Sequence, residues 1–216
     1  MAFPRRYLGL LLAGALGVAA PTGAHAQDSK EFRGRVLATP ALAGLSVPVL
    51  TLGGFGVDSA FAGDSMLAGW SSRAAAITRF DGILGGYLTD NAPDVKWVLP
   101  DALRRMAKRA PSIVPDPDRL GHQIMSSEQV RRIPNPLSSR LRQLVAMSDA
   151  RQVFIPSGLL LSRDSTGTVQ AELAAQLVDA RLGDVLWRTY ATGKGRSPDA
   201  AVRAAIATMV PPELNP

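Results

Sequence analysis

The stretch that decides the fold is QVFIPSGLLLSRDSTGTVQAELAAQLVDARLGDVLWRTYAT, residues 152–192. It contains three runs with the composition of strands, at 152–163, 168–180 and 184–192, and turn-forming residues separate them. Apolar and polar side chains alternate along the second run, which is typical of a half-buried strand. The step at 156–158 indicates a bulge or an edge position in the first run. Because both connections are short, the three strands predict an antiparallel meander.

A helix is predicted directly after this meander. Ser197 is placed to cap its N-terminus, Pro198 suits the first helical position, and Asp199 interacts favourably with the positive end of the helix dipole. Pro211 and Pro212 end the helix. Its buried stripe consists of Val202, Ala205, Ile206 and Met209.

Upstream of residue 152, the pattern predicts strands and helices in alternation. The opening strand is SVPVLTL, residues 46–52, and a loop covers 57–71. Helical spacing then begins at Ser72 and continues to Asp90. The elements that follow are a strand at 95–99, a basic helix at 100–109, a proline-rich connection over 111–136 with a helical turn near 126–132, and a helix from 137 to 149.

The element order β-α-β-α-α-β-β-β-α predicts an α+β fold, α/β in the broad sense, with a mixed sheet and helices on one face. No repeat of 20–50 residues is present. We therefore expect a signal peptide at 1–26, a flexible leader at 27–45, a single domain at 46–212 and a tail at 213–216.

Residues 1–26 have the pattern of a secretory signal. Arg5 and Arg6 precede an apolar run that is shorter than the ~20 residues a membrane-spanning helix needs, and small residues around Ala26 suit cleavage after it. Cleavage would change the formal net charge from +6 to +4, because two arginines leave. The sequence thus predicts a periplasmic or secreted protein with no transmembrane span after cleavage.

The composition excludes several classes of chemistry. The 216 residues contain no cysteine and only two histidines. Disulfides, thiol nucleophiles and histidine-rich metal sites therefore cannot form. The remaining histidine after cleavage is His122, which could act as a ligand or base only if Asp116, Asp118 or Glu128 converged on it. We expect no metal and no cofactor.

Two glycine groups are candidates for phosphate-binding loops. Gly53, Gly54 and Gly56 follow the opening strand, where such a loop could lie. Their spacing does not continue as GxGxxG, and Gly193-Lys194-Gly195 does not fit GxxxxGK[ST]. The pattern therefore favours turns at both places.

The string Gly63-Asp64-Ser65-Met66-Leu67-Ala68-Gly69 resembles the GDSxxxG nucleophile block of the SGNH hydrolases. The resemblance implies that Ser65 would be a catalytic nucleophile, which needs an imidazole to accept its proton. No histidine follows His122, so the family's C-terminal DxxH is absent. A loop is the favoured interpretation, and a Ser65 hydrolase stays an alternative.

Basic residues are concentrated in the middle of the chain. Such a cationic face attracts polyanions, which in an exported protein would be anionic lipid or cell-wall surfaces rather than nucleic acid. A solvated helical face is the competing interpretation. The residues are Arg104, Arg105, Lys108, Arg109, Arg131, Arg132, Arg140 and Arg142.

The string DARLGDVLWR at 179–188 resembles a hairpin found in two families. Quinoprotein-type propellers repeat it in every blade, whereas this chain has it once. The other family is the TolB N-terminal-domain-like and curli-export-lipoprotein-like group, which also opens with an apolar strand like that at 46–52. This resemblance implies a non-catalytic module that binds partners in the bacterial cell envelope. The leading hypothesis is therefore an exported envelope protein that binds an envelope protein or an anionic surface.

Overall fold

The structure is a computed structural model, which describes residues 32–212 of the chain. The predicted signal peptide and the tail at 213–216 lie outside these residues. The strands and helices are β1 (Ser46–Pro48), β2 (Phe55–Val57), α1 (Arg73–Asn91), β3 (Lys96–Val98), α2 (Pro100–Arg109), α3 (Leu137–Met147), β4 (Gln152–Arg163), β5 (Val169–Asp179), β6 (Asp184–Gly195) and α4 (Pro198–Met209).

A four-stranded mixed sheet forms the centre of the fold, in the order β2-β4-β5-β6. β2 runs parallel to β4, while β5 is antiparallel to both β4 and β6. The register of β4 and β5 shifts between Pro156 and Gly158, where the sequence predicts a bulge. The predicted α+β class, mixed sheet and antiparallel meander are confirmed.

The predicted opening strand is divided in two. β1 pairs with β3 through Val47 and Trp97, and the backbone N–H of Leu50 then donates to the carbonyl of Phe154 in β4, 2.9 Å away. The backbone N–H of Gly53 donates to the carbonyl of Pro156 in β4, 2.9 Å away, and the chain then pairs with β4 as β2. The glycines that the sequence assigns to a turn thus join two stretches of one interrupted strand.

Helices lie on both faces of the sheet, whereas the sequence predicts one helical face. The main core places α1 and α4 against side chains such as Phe154 and Leu173. A second core places α3 against Val153, Ile155 and Val178 on the opposite face. Successive residues of β4 therefore point into different cores, because side chains alternate along a strand. The helix cap predicted at Ser197 is confirmed, since its side chain accepts from the backbone N–H of Ala200.

The N-terminal segment from Phe32 onward packs against the domain, although the sequence predicts a flexible leader over 27–45. Leu37 and Leu42 are buried in the main core. The backbone N–H of Leu37 donates to the carbonyl of Met209, 2.8 Å away, at the end of α4. These isolated apolar side chains have no period, so their burial depends on tertiary contacts that a local pattern does not contain.

The connection between α2 and α3 is irregular but anchored. Its 3-10 turns cover Pro117–Arg119 and His122–Ser126, so the helical turn expected near 126–132 lies slightly earlier. The loop expected at 57–71 also contains a 3-10 helix, Ser65–Trp70. Within residues 32–212, no helix combines the length and apolar character of a membrane span.

Candidate functional site: the open edge of β2

Ser65 lies at the start of the 3-10 helix and is exposed. The carboxylate of the preceding Asp64 accepts from the backbone N–H of Met66 and pairs with Arg163 at 2.5 Å. Over residues 32–212, no hydrogen bond reaches the Ser65 hydroxyl. Its neighbour Asp64 therefore works as a helix cap, and the geometry supplies no proton acceptor for a nucleophile.

His122 is engaged elsewhere, in the protein interior. Its Nε2 lies 2.8 Å from the carbonyl of Thr51, and because a carbonyl only accepts, Nε2 carries the proton. Nδ1 is buried without a partner among the described residues. Burial lowers the pKa of His122 to about 4. The neutral ring therefore fixes the strand segment before β2, and the carboxylates of Asp116, Asp118 and Glu128 do not converge on it as ligands.

The part of the chain that the structure covers holds no group of three or more histidine and acidic residues suited to a metal. Close packing explains Gly53, the first glycine after β1. A Cβ on Gly53 would lie 2.7 Å from the carbonyl oxygen of Ser157 and 2.9 Å from the His122 ring. The glycine at this position is therefore required by neighbouring groups, without any need for a phosphate.

Three of the eight basic residues make contacts that hold the fold together. Arg104 bonds to Asp81, Asp101 and Asp118, each at 2.8 Å. Arg140 donates to the carbonyl of Arg119. These two arginines fix the connection between α2 and α3. The third, Arg132, pairs with Asp184 at the start of β6, 3.0 Å away.

The other five basic residues are exposed, as Arg132 is, and they belong to three separate elements. Arg131 lies over the ring of Phe32, with its guanidinium carbon 5.3 Å from the ring centroid. Arg142 is on α3 and donates to Ser139. The remaining three, on α2, are Arg105, Lys108 and Arg109.

The most distinctive surface feature is the outer edge of β2. The N–H of Leu159 donates to the carbonyl of Gly54, and the N–H of Asp58 donates to the carbonyl of Leu161. Backbone groups at 54, 56 and 58 thus turn toward β4, so those of Phe55 and Val57 turn away from the sheet. Among residues 32–212, no group bonds to these outward N–H and C=O groups.

A groove lies beside β2 on each face of the sheet. The front groove, on the side of α1, has a volume of about 560 Å³, and its walls include Phe55, Val57, Leu67, Ala68 and Trp70. The rings of Phe55 and Trp70 are 5.8 Å apart. The back groove, on the other face, has a volume of about 420 Å³ and extends from Gly54 and Gly56 across Leu160 of β4 to Glu172 of β5 and Tyr190 of β6.

Opposite charges mark the two ends of β2. At the first end, exposed Arg73 donates to the carbonyl of Gly53, 2.6 Å away, and has no carboxylate partner in the described range. At the other end, exposed Asp58 accepts from the backbone N–H of Ala60 and has no cationic partner there. Sequence reasoning missed this site. Its local signal was the alternation of Gly54, Phe55, Gly56 and Val57, which is too short to identify a strand.

Comparison with known proteins gives similarity in structure only. No protein-family model matches the chain, and no curated protein matches it. Among solved structures, the PelC L103M dodecamer from Paraburkholderia phytofirmans is 13% identical with a TM-score of 0.38, covering 84% of this chain and 93% of PelC. The LpoB C-terminal domain from Salmonella enterica is 17% identical with a TM-score of 0.38, covering 74% and 93%.

A third similar structure is lipoprotein GNA1162 from Neisseria meningitidis. It is 17% identical with a TM-score of 0.32, covering 69% of this chain and 80% of GNA1162. All three TM-scores are below 0.5, so these similarities carry no argument about function. The resemblance to TolB N-terminal-domain-like proteins stays a prediction.

Proposed function

We propose that the chain is an exported bacterial cell-envelope protein that binds a partner protein and catalyses no reaction. The observation that carries this proposal is the edge of β2. Its outward backbone groups are unpaired within residues 32–212, and a groove flanks it on each face of the sheet. Unpaired strand edges are templates for pairing with another chain. The export pattern at 1–26 supports a periplasmic or secreted location.

Ser65 provides the alternative that has to be tested first. Purified protein and a Ser65→Ala variant are treated with a fluorophosphonate probe and assayed on simple esters. We expect equal, background labelling and no turnover, because no imidazole or carboxylate contacts the hydroxyl in the described chain. Labelling and turnover that Ser65→Ala removes would overturn the proposal in favour of a hydrolase.

Binding itself is tested by immobilising the folded protein and passing an envelope extract over it. We expect retention of one or a few proteins that heat-denatured protein does not retain. Heparin added in excess is the control for the basic residues, since a polyanion site would lose its ligand to it. Retention of anionic polymer alone, released by heparin, would contradict a protein partner.

A further inference from the structure

We propose that the edge of β2 binds one extended peptide segment of the partner, which adds to the sheet as a new strand. This inference rests on the proposed function and specifies its site and the conformation of its ligand. The backbone supplies the first argument. Phe55 and Val57 each present one N–H donor and one C=O acceptor outward, which is the pattern that an extended chain satisfies and a compact surface does not.

The position next to β2 is open because of how β3 ends. β3 lies beside β1, and the N–H of Val49 donates to the carbonyl of Val98, 2.9 Å away. The chain then turns into α2 at Pro100, so β3 does not continue alongside β2. Within residues 32–212, β2 therefore pairs on one side only. An added segment would continue the line that β3 begins.

The grooves supply the second argument. Side chains of a strand point alternately to the two faces of its sheet. A segment beside β2 would therefore place one set of side chains in the front groove, near Leu67 and Trp70, and the other set at the end of the back groove that Gly54 and Gly56 form. The front groove is apolar around two aromatic rings, so it suits an aliphatic or aromatic side chain. Residues 62–73 wall this groove, which favours a single extended chain over a broad surface.

Charge supplies the third argument. Arg73 and Asp58 lie at opposite ends of the edge. Arg73 contacts the carbonyl of Gly53, which is five positions before Asp58 along the chain. Five residues of strand span roughly 17 Å. The segment that fits therefore carries an acidic residue near Arg73 and a basic residue about five positions away. Between them, apolar side chains enter the front groove.

The test uses a phage-displayed library of random twelve-residue peptides selected on the folded full-length protein. The enriched peptides are synthesised, and their affinities are measured for wild type, Val57→Pro and Val57→Thr. Val57→Pro removes an outward N–H that takes no part in the pairing with β4, whereas Val57→Thr keeps it. We expect the peptides to bind Val57→Pro at least roughly tenfold more weakly than wild type, because this variant loses one hydrogen bond and its ring blocks the added segment. Their binding to Val57→Thr should be unchanged.

A second variant guards against an effect of proline on folding. Ala68 is exposed in the wall of the front groove, so Ala68→Trp fills the groove without entering the core. This substitution should weaken binding of the same peptides at least roughly tenfold. Peptides N-methylated at alternate residues on the side that faces β2 should bind no better than scrambled peptides. Failure to enrich any peptide, or equal binding to wild type and both variants, would overturn the inference.

The same variants separate this inference from the proposed function. If Val57→Pro and Ala68→Trp still retain the envelope protein at the wild-type level, the partner binds elsewhere, and only the inference fails. Sedimentation tests a second copy of this chain as the occupant. We expect a monomer at working concentrations, and a dimer that Val57→Pro dissociates would replace the partner peptide with a second β2.

Discussion

The guanidinium of Arg188 donates to the backbone carbonyl of Val130, 2.5 Å away, from a position in β6 that is 2% exposed. It also donates to the carbonyl of Glu128 at 2.8 Å. The irregular connection before α3 is thereby tied to the sheet by one buried side chain. Burial lowers the pKa of Arg188, but guanidinium groups remain charged in proteins. The buried charge is therefore balanced by carbonyl dipoles of the connection.

Replacing Arg188 with lysine should destabilise the protein by about 2–4 kcal/mol. A lysine ammonium cannot reach both carbonyls in the planar geometry of a guanidinium, and its charge stays buried. The measurement is the free energy of unfolding from urea denaturation. Arg181→Lys, at an exposed position in the β5–β6 turn, is the matched control and should change stability by less than ~0.5 kcal/mol. Equal stability of both variants would mean that the connection holds without Arg188.

Gly193 in β6 determines how closely α4 lies on the sheet. A Cβ at this position would lie 2.1 Å from the backbone nitrogen of Ala205 and 2.3 Å from the carbonyl oxygen of Ala201. Backbone atoms cannot move aside as a flexible side chain can. Gly193→Ala should therefore reduce the free energy of unfolding by at least about 3 kcal/mol, because α4 must shift as a whole.

Gly82 is the matched control for that substitution. It is exposed in α1, and an added Cβ would meet no atom within 4 Å. Gly82→Ala should stabilise the protein by about 0.5–1 kcal/mol through helix propensity. Thermal unfolding followed by circular dichroism measures both variants. If Gly193→Ala unfolds at the wild-type temperature, α4 does not pack against β6 as closely as the structure indicates.

Sequence patterns identified the elements whose side chains have a clear period. β5 forms over Val169–Asp179 as a strand, and the cap, proline and acidic residue at 197–199 begin α4 at the predicted residue. The prediction that β5 is half-buried is wrong from Leu173 onward, where every residue is buried because helices cover both faces of the sheet. The glycines at 193 and 195 fit no phosphate-binding motif, and the structure gives their reason as contact with α4. The sequence shows which residues are small, but it does not show which neighbouring group requires a small residue at that position.

The candidate site could not be predicted in the same way. β2 has three residues, too few for a period, and it exists because β4 pairs with it across a sequence separation of about a hundred residues. The basic residues show the converse problem. Arg104 looks like a surface charge in the sequence, yet carboxylates on distant elements bind it and its side chain is only 24% exposed. Tertiary pairing decides both outcomes.

Asp81 gives a prediction about pH. Its side chain is 9% exposed and lies 2.8 Å from Arg104. Burial raises the pKa of Asp81 to about 6, outweighing the opposite effect of Arg104. The folded state thus holds a proton between pH 4 and 6 that the unfolded state has released, so this group's contribution to stability falls as the pH rises through that window. Two pH units correspond to about 2–3 kcal/mol.

The measurement is the stability difference between wild type and Asp81→Asn at several pH values. Relative to the variant, wild type should lose about 2–3 kcal/mol from pH 4 to pH 7. Asp101→Asn is the control, since Asp101 bonds to the same arginine but is 78% exposed. A constant difference across the range would contradict a protonated Asp81 in the folded state.

His122 should produce the opposite slope over nearly the same window. Because burial lowers its pKa from 6.5 to about 4, the unfolded state binds a proton between these values and the folded state does not. Stability from this group is complete above pH 6.5 and is lost as the pH falls toward 4. In wild type the effects of Asp81 and His122 on the pH dependence of stability are thus opposite. Their joint contribution to stability should stay nearly constant from pH 4 to 6.

Each single variant should therefore show the pH dependence of stability that the remaining group causes. His122→Gln keeps a donor for the Thr51 carbonyl and removes the titration, so its stability should fall with rising pH, owing to Asp81. Asp81→Asn should show stability that rises with pH, owing to His122. The double variant should return to a shallow profile like that of wild type. Urea denaturation at pH 4, 5, 6 and 7 measures all four proteins, and parallel profiles for the two single variants would refute the opposition.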